Sequence, residues 1–171
     1  MRWLPFGILA VLALVFQTTV VPMMAVESIW PDWMFVLAVH YALWGPWPDA
    51  AIAAWLLGLI VGLQTADRTG LHAFCFGAAA WGIMRVRQVL FRDHAVTYVV
   101  VTLVFALAIQ LMIGLYRWWS APTATTREGL FWHAGMTAVY TALWALLLHR
   151  PLIRLGKWTG LRPRRSFQPH R

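Results

Sequence analysis

Six long apolar runs constrain this chain more than any other feature. They cover roughly residues 3–21, 31–45, 50–65, 69–84, 95–116 and 129–149. A helix crossing a hydrocarbon core of roughly 30 Å needs about 20 such residues, because lipid offers no partner to an unpaired backbone N–H or C=O. The first, fifth and sixth runs meet that length. The middle three have 15 or 16 residues and at the helical rise reach only about 22–24 Å. They can borrow flanking residues, thin the bilayer locally or pair as a re-entrant hairpin. The expected fold class is therefore an all-α membrane protein, a compact bundle of six transmembrane helices with three short central ones. Composition agrees, since 61% of residues are hydrophobic and 12% charged, where soluble domains have about a quarter charged. A soluble globular domain, a disordered chain and a disulfide scaffold are excluded. The lone Cys75 cannot form an intramolecular bridge and reads as a small buried residue.

Charge placement orients the runs. Eleven of the 14 basic residues fall on one side: Arg2, then Arg85, Arg87 and Arg92, then Arg150, Arg154, Lys157 and the basic residues beyond. Arg68, Arg117 and Arg127 fall on the other. The positive-inside rule places the eleven, and both termini, in the cytoplasm. A re-entrant hairpin of runs three and four gives the same count but carries Asp67 and Arg68 into the membrane, where charge is costly, so six crossings are expected. The net charge of +8 is thus a topological signal, and no nucleic-acid partner is implied. Nine of the 12 tryptophans lie near span ends, as the headgroup preference of indole requires. Trp55, Trp81 and Trp144 lie deeper and are expected to pack between helices. The first run is long for a signal peptide, and residues 21–25 make a poor cleavage site, so an uncleaved first helix is expected. The chain divides into a polytopic transmembrane domain, 1–149, and a basic cytoplasmic tail, 150–171, which fixes topology and touches anionic lipid or contacts a cytoplasmic protein.

Polar residues within lipid are the natural functional candidates: Gln17, Thr18, Thr19, His40, Gln64, His72, Thr102, Gln110, His133, Thr137 and Thr141. No acid lies centrally in a run, which argues against an ion-coupled carrier. The six histidines lack the spacing that puts two imidazoles on one helix face, and His72 with Cys75 is a lone pair, so no metal is expected. No hydrolase motif or phosphate loop is present; catalytic and cofactor-binding residues are none. The small residues say more. Gly58 and Gly62 form a GxxxG pair that Ala50 and Ala54 extend, and Gly70, Gly77, Ala78 and Gly82 give the fourth run a similar smooth side. Such faces let backbones approach, inside the fold or against a partner.

Several short motifs then line up in order. Pro31-Asp32-Trp33 opens the second run, Gly58 and Gly70-Leu71-His72-Ala73-Phe74 lie 12 apart, Leu90-Phe91-Arg92 sits in a basic loop, and Phe131-Trp132 leads into the last run and its basic end. Over roughly residues 1–158 this arrangement resembles the bacterial rod shape-determining MreD family. It departs at Gly62, where the family usually has Asp; Asp67 lies five residues on. The resemblance implies a non-enzymatic scaffold of the cell-elongation machinery in the cytoplasmic membrane, acting with a bitopic MreC-like protein, an actin-like MreB filament and peptidoglycan synthases. It also implies a fold similar to the membrane subunit of energy-coupling-factor vitamin transporters, and hence an alternative role as a substrate-binding uptake subunit. Pro31, Asp32 and the small residues are the packing or partner-contact candidates; Arg85, Arg87, Arg92, Arg150, Arg154 and Lys157 are the cytoplasmic basic set.

Overall fold

A computed structural model describes residues 2–25, 29–65, 69–87, 94–120 and 127–161. Its elements are α1 (Trp3–Thr19), a 3₁₀ turn (Val21–Met24), α2 (Trp33–Trp44), α3 (Trp47–Gln64), α4 (Thr69–Val86), α5 (Ala95–Ser120) and α6 (Arg127–Thr159). Local chemistry sets several boundaries. Pro22 lacks an N–H, so α1 stops before it and tightens into the 3₁₀ turn. Asp32 caps α2: its carboxylate oxygen accepts from the Met34 N–H at 2.9 Å. Pro46 pushes Gly45 out of the helical region (ψ 154°), which ends α2 and starts a tight turn into α3. A Cβ on Gly45 would lie 2.6 Å from the Tyr41 carbonyl oxygen, so the turn has room only for glycine.

α2 is the centre. It is apolar all round, and each residue from 34 to 43 is buried, as a helix without a polar face must be. α1, α3, α4, α5 and α6 all touch it. Phe35 of α2, Phe76 of α4 and Phe105 of α5 form its aromatic core, with centroids 5.1 to 6.1 Å apart. α3 packs on α4 and α5 on α6 as two hairpins, while α1 buries only Phe6 and Ala10 and lies at the edge.

Among the described residues, three helices have the length and hydropathy to cross a membrane, over Trp47–Gln64, Ala95–Ser120 and Phe131–Gly156. Of the three central helices expected to be short, only α2 is, with 12 residues; α3 and α4 have 18 each. Proline at the start of α3 is tolerated where no N–H is needed, so Trp47–Asp49 join that helix. α6 runs ten residues past the expected end at 149, through Pro151 to Thr159. Leu152 and Thr159 are buried there, and that packing offsets the helical hydrogen bond Pro151 cannot make. Trp55 and Trp81 also depart from expectation. Both are about half exposed (47% and 50%) on the outer face of the α3–α4 hairpin, while Trp144 goes inward beside Trp33, at 5.6 Å.

Candidate functional site

The start of α2 ties several elements together. The Asp32 N–H donates to Thr141 Oγ1 of α6 at 3.0 Å, and the Trp33 N–H donates to Gln17 Oε1 of α1 at 2.9 Å. With the Met34 and Phe35 N–H groups held by Asp32 itself, all four N–H groups a helix start leaves unpaired find side-chain acceptors. Tyr140, next to Thr141, donates its hydroxyl to the Met24 carbonyl at 2.9 Å and ties the 3₁₀ turn to α6. Pro31 is buried beneath this junction. Asp32 opens on its other side into a cleft of about 430 Å³ lined by Gln17, Thr18, Val21, Pro22, Ala25, Trp30, Val61, Gln64 and Thr65.

A second concavity is lined almost entirely by apolar surface. A groove of about 310 Å³ runs between α1 and α6 over the surface of α2, lined by Leu9, Leu12, Ala13 and Phe16, by Trp33, Val36 and Leu37, and by Leu148, Pro151, Leu152 and Leu155. Phe16 stacks on Trp33 at 4.3 Å and closes the groove toward the Asp32 end.

The small residues separate by environment. Ala50, Ala54, Gly58 and Gly62 are buried. A Cβ on Gly58 would lie 2.6 Å from the His72 carbonyl oxygen and 2.9 Å from Ala73 Cα, so here α3 meets the backbone of α4 directly. At Gly77 it would meet only Trp55, at 3.7 Å, and at Gly70 and Gly82 it would enter open space. The partner of Gly58 is thus the stretch from His72 to Phe76, not Gly70.

At the opposite end of α2, Arg87 donates to the Gly45 carbonyl at 2.6 Å and the Ala42 carbonyl at 3.1 Å, satisfying the carbonyls that a helix C-terminus leaves unpaired. Arg85 stands over the rings of Trp47 and Trp81, at 5.3 and 4.7 Å. Arg150 and Arg154 are exposed on α6. The Arg2 N–H donates to the Thr159 carbonyl at 3.3 Å, so the starts of the chain and the end of α6 share this basic rim. Arg92, Asp67, Arg68, the Leu90-Phe91-Arg92 motif and the side chain of Lys157 lie outside the described residues.

Three buried positions escaped the sequence reading. Tyr98 of α5 donates to the Val36 carbonyl of α2 at 3.1 Å and sits 4.8 Å from the His149 ring, and Tyr41 is fully buried. The separation of 109 positions between Asp32 and Thr141 leaves no local trace of their hydrogen bond; the available signal was that Thr141 is polar within an apolar run and that Asp32 opens one. Among the described residues, no three His, Cys, Asp or Glu side chains come together.

Two comparisons returned no match: neither a curated protein nor a solved structure matches the chain. The model of one family does match, that of the rod shape-determining protein MreD, over residues 1–157.

Proposed function

Because this chain belongs to the rod shape-determining protein MreD family, a membrane family with a role in cell shape, we propose that it is a non-catalytic scaffold of the bacterial elongation machinery. It binds an MreC-like bitopic partner in the cytoplasmic membrane and thereby helps direct peptidoglycan synthesis, with an MreB-like filament beneath. The observation that carries this reading is the apolar groove between α1 and α6. Lipid tails are as apolar as leucine, so a membrane helix gains little by leaving them unless it packs closely. The groove supplies such a surface, whereas Ala50, Ala54 and Gly58 are already occupied within the fold. All six helices cross, both termini are cytoplasmic, and the basic rim faces anionic headgroups, as the 11-to-3 distribution of Lys and Arg supports.

The test is co-purification of the single-span partner from detergent. Ala13→Trp fills the groove and should abolish it while leaving the yield and melting of the protein intact. In a rod-shaped host, depletion should give rounded cells, and a phosphatase fused after Arg171 should stay inactive. Rods that persist, with a vitamin requirement appearing instead, would replace this reading with the uptake-subunit one.

A further inference from the structure

The Asp32 cleft is distinct from that groove, and acceptors outnumber donors in its polar lining. A hydroxyl has one hydrogen to give. Thr18 gives its own to the Leu14 or Val15 carbonyl, both at 3.1 Å. Thr65 gives its own to the Gly62 or Val61 carbonyl, at 3.3 and 3.4 Å. Each therefore presents only lone pairs to the cleft. The Asp32 carboxylate has room for about four donors. The Met34 and Phe35 N–H groups and the Gln17 side chain account for three. Gln17 is spent twice, since its Oε1 also accepts from Trp33. Among the described residues the remaining walls are Val21, Pro22, Ala25 and Val61, with the Gln64 side chain, whose amide can accept as well as donate, and the half-exposed indole of Trp30. A cavity whose polar lining is a carboxylate, two acceptor-only hydroxyls, the Gln64 amide and an indole favours a small cation that is rich in hydrogens to donate.

We propose that this cleft binds a primary ammonium group, carried by the headgroup of an aminophospholipid or by a free amine. An ammonium has three N–H donors, equal in number to the acceptors offered by Asp32, Thr18 and Thr65. Its bond to the carboxylate is charge-assisted, and the indole adds a cation–π contact. A trimethylammonium keeps the charge but has no hydrogen to donate, so the cleft discriminates against it. The proposal does not depend on the scaffold reading, because neither the groove nor the partner enters it.

The experiment uses the full chain in detergent, equilibrated with mixed micelles of ethanolamine, choline and glycerol phospholipids. Retained lipid is read by native mass spectrometry, and melting is followed in parallel with free ethanolamine or octylamine. Loss of one charge-assisted hydrogen bond corresponds to about tenfold in affinity, so the wild type should retain the ethanolamine lipid about tenfold over the choline one. Asp32→Asn should abolish that preference, and because Asn caps a helix as well as Asp, it should leave melting unchanged in the absence of ligand. Thr65→Val removes an acceptor that belongs to the end of α3 and takes no part in capping α2, and it should reduce the preference as well. Enrichment of the lipid identifies the headgroup as the source. A melting shift with free amine alone, abolished in both variants, identifies a soluble amine. Equal retention of ethanolamine and choline lipids with no amine-dependent shift overturns the proposal. So does a preference that both variants keep. Loss of a co-purifying protein in Asp32→Asn, with amine binding unaltered, also overturns it and assigns the cleft to a partner's side chain.

Discussion

The α3–α4 and α5–α6 hairpins both pack along small residues, yet they do so by different means. In α3–α4 the contact at Gly58 is backbone on backbone, with no space for even one methyl group. In the second hairpin the inward face of α6 is built from small side chains: Ala134, Thr137, Ala138, Thr141, Ala142 and Ala145 are buried at three- and four-residue intervals. Glycine carries an entropic cost in a helix relative to alanine of about 0.5–1 kcal/mol, and it is recovered only where the approach is closest. Alanine and threonine suffice elsewhere, and threonine brings a hydroxyl that α2 uses. The first hairpin is therefore a rigid wall. The second, with helices of 26 and 33 residues against 18 and 18, is the one that holds the start of α2.

The largest effect is expected where backbones meet. Gly58→Leu should cost about 3 kcal/mol, the upper end for overpacking, seen as loss of the monodisperse peak and a sharply lower Tm in detergent. Wild-type melting would mean that α3 and α4 do not touch at Gly58. Ala138→Leu, in the side-chain seam of α6, should cost about 2 kcal/mol, because neighbouring side chains can shift where a carbonyl cannot. If it proves worse than Gly58→Leu, the distinction between the hairpins fails. Thr141→Val keeps the volume but deprives the Asp32 N–H of its acceptor, for a loss of about 1–2 kcal/mol. Hydrogen exchange should then rise at residues 32–34 before it rises in α3 or α4. Smallest of all, Gly82→Ala adds a methyl to open space and should stabilise by up to about 1 kcal/mol. A destabilised protein would place an unseen neighbour against that face of α4.

Much of the helix pattern was legible because lipid forbids unpaired backbone, so an apolar run can only be a helix, and Pro22, Pro31-Asp32 and Gly45-Pro46 punctuate the runs chemically. Boundaries were less legible. Trp47–Asp49 and Arg150–Thr159 are polar enough to look like flanks, yet they are helical because first-turn proline needs no N–H and because Leu152 and Thr159 are buried. The candidate site was half visible. Gln17 and Thr141 stood out individually as polar residues among apolar ones, and Asp32 as part of the Pro31-Asp32 motif, but nothing in composition paired them.

By itself the sequence determined that this chain is helical, apolar and polarised in charge, since those properties follow from residue type and run length. Membership in the MreD family follows as well, from motif order along residues 1–157. Only the tertiary structure decided that α2 is the buried centre, that Gly58 faces His72 and not Gly70, and that Trp55 and Trp81 point outward. The physical reason is that in a chain apolar on nearly every side, hydrophobicity no longer marks an inside. What distinguishes core from lipid-facing surface is steric fit and the pairing of a few polar groups, and both are set by residues far apart in the chain.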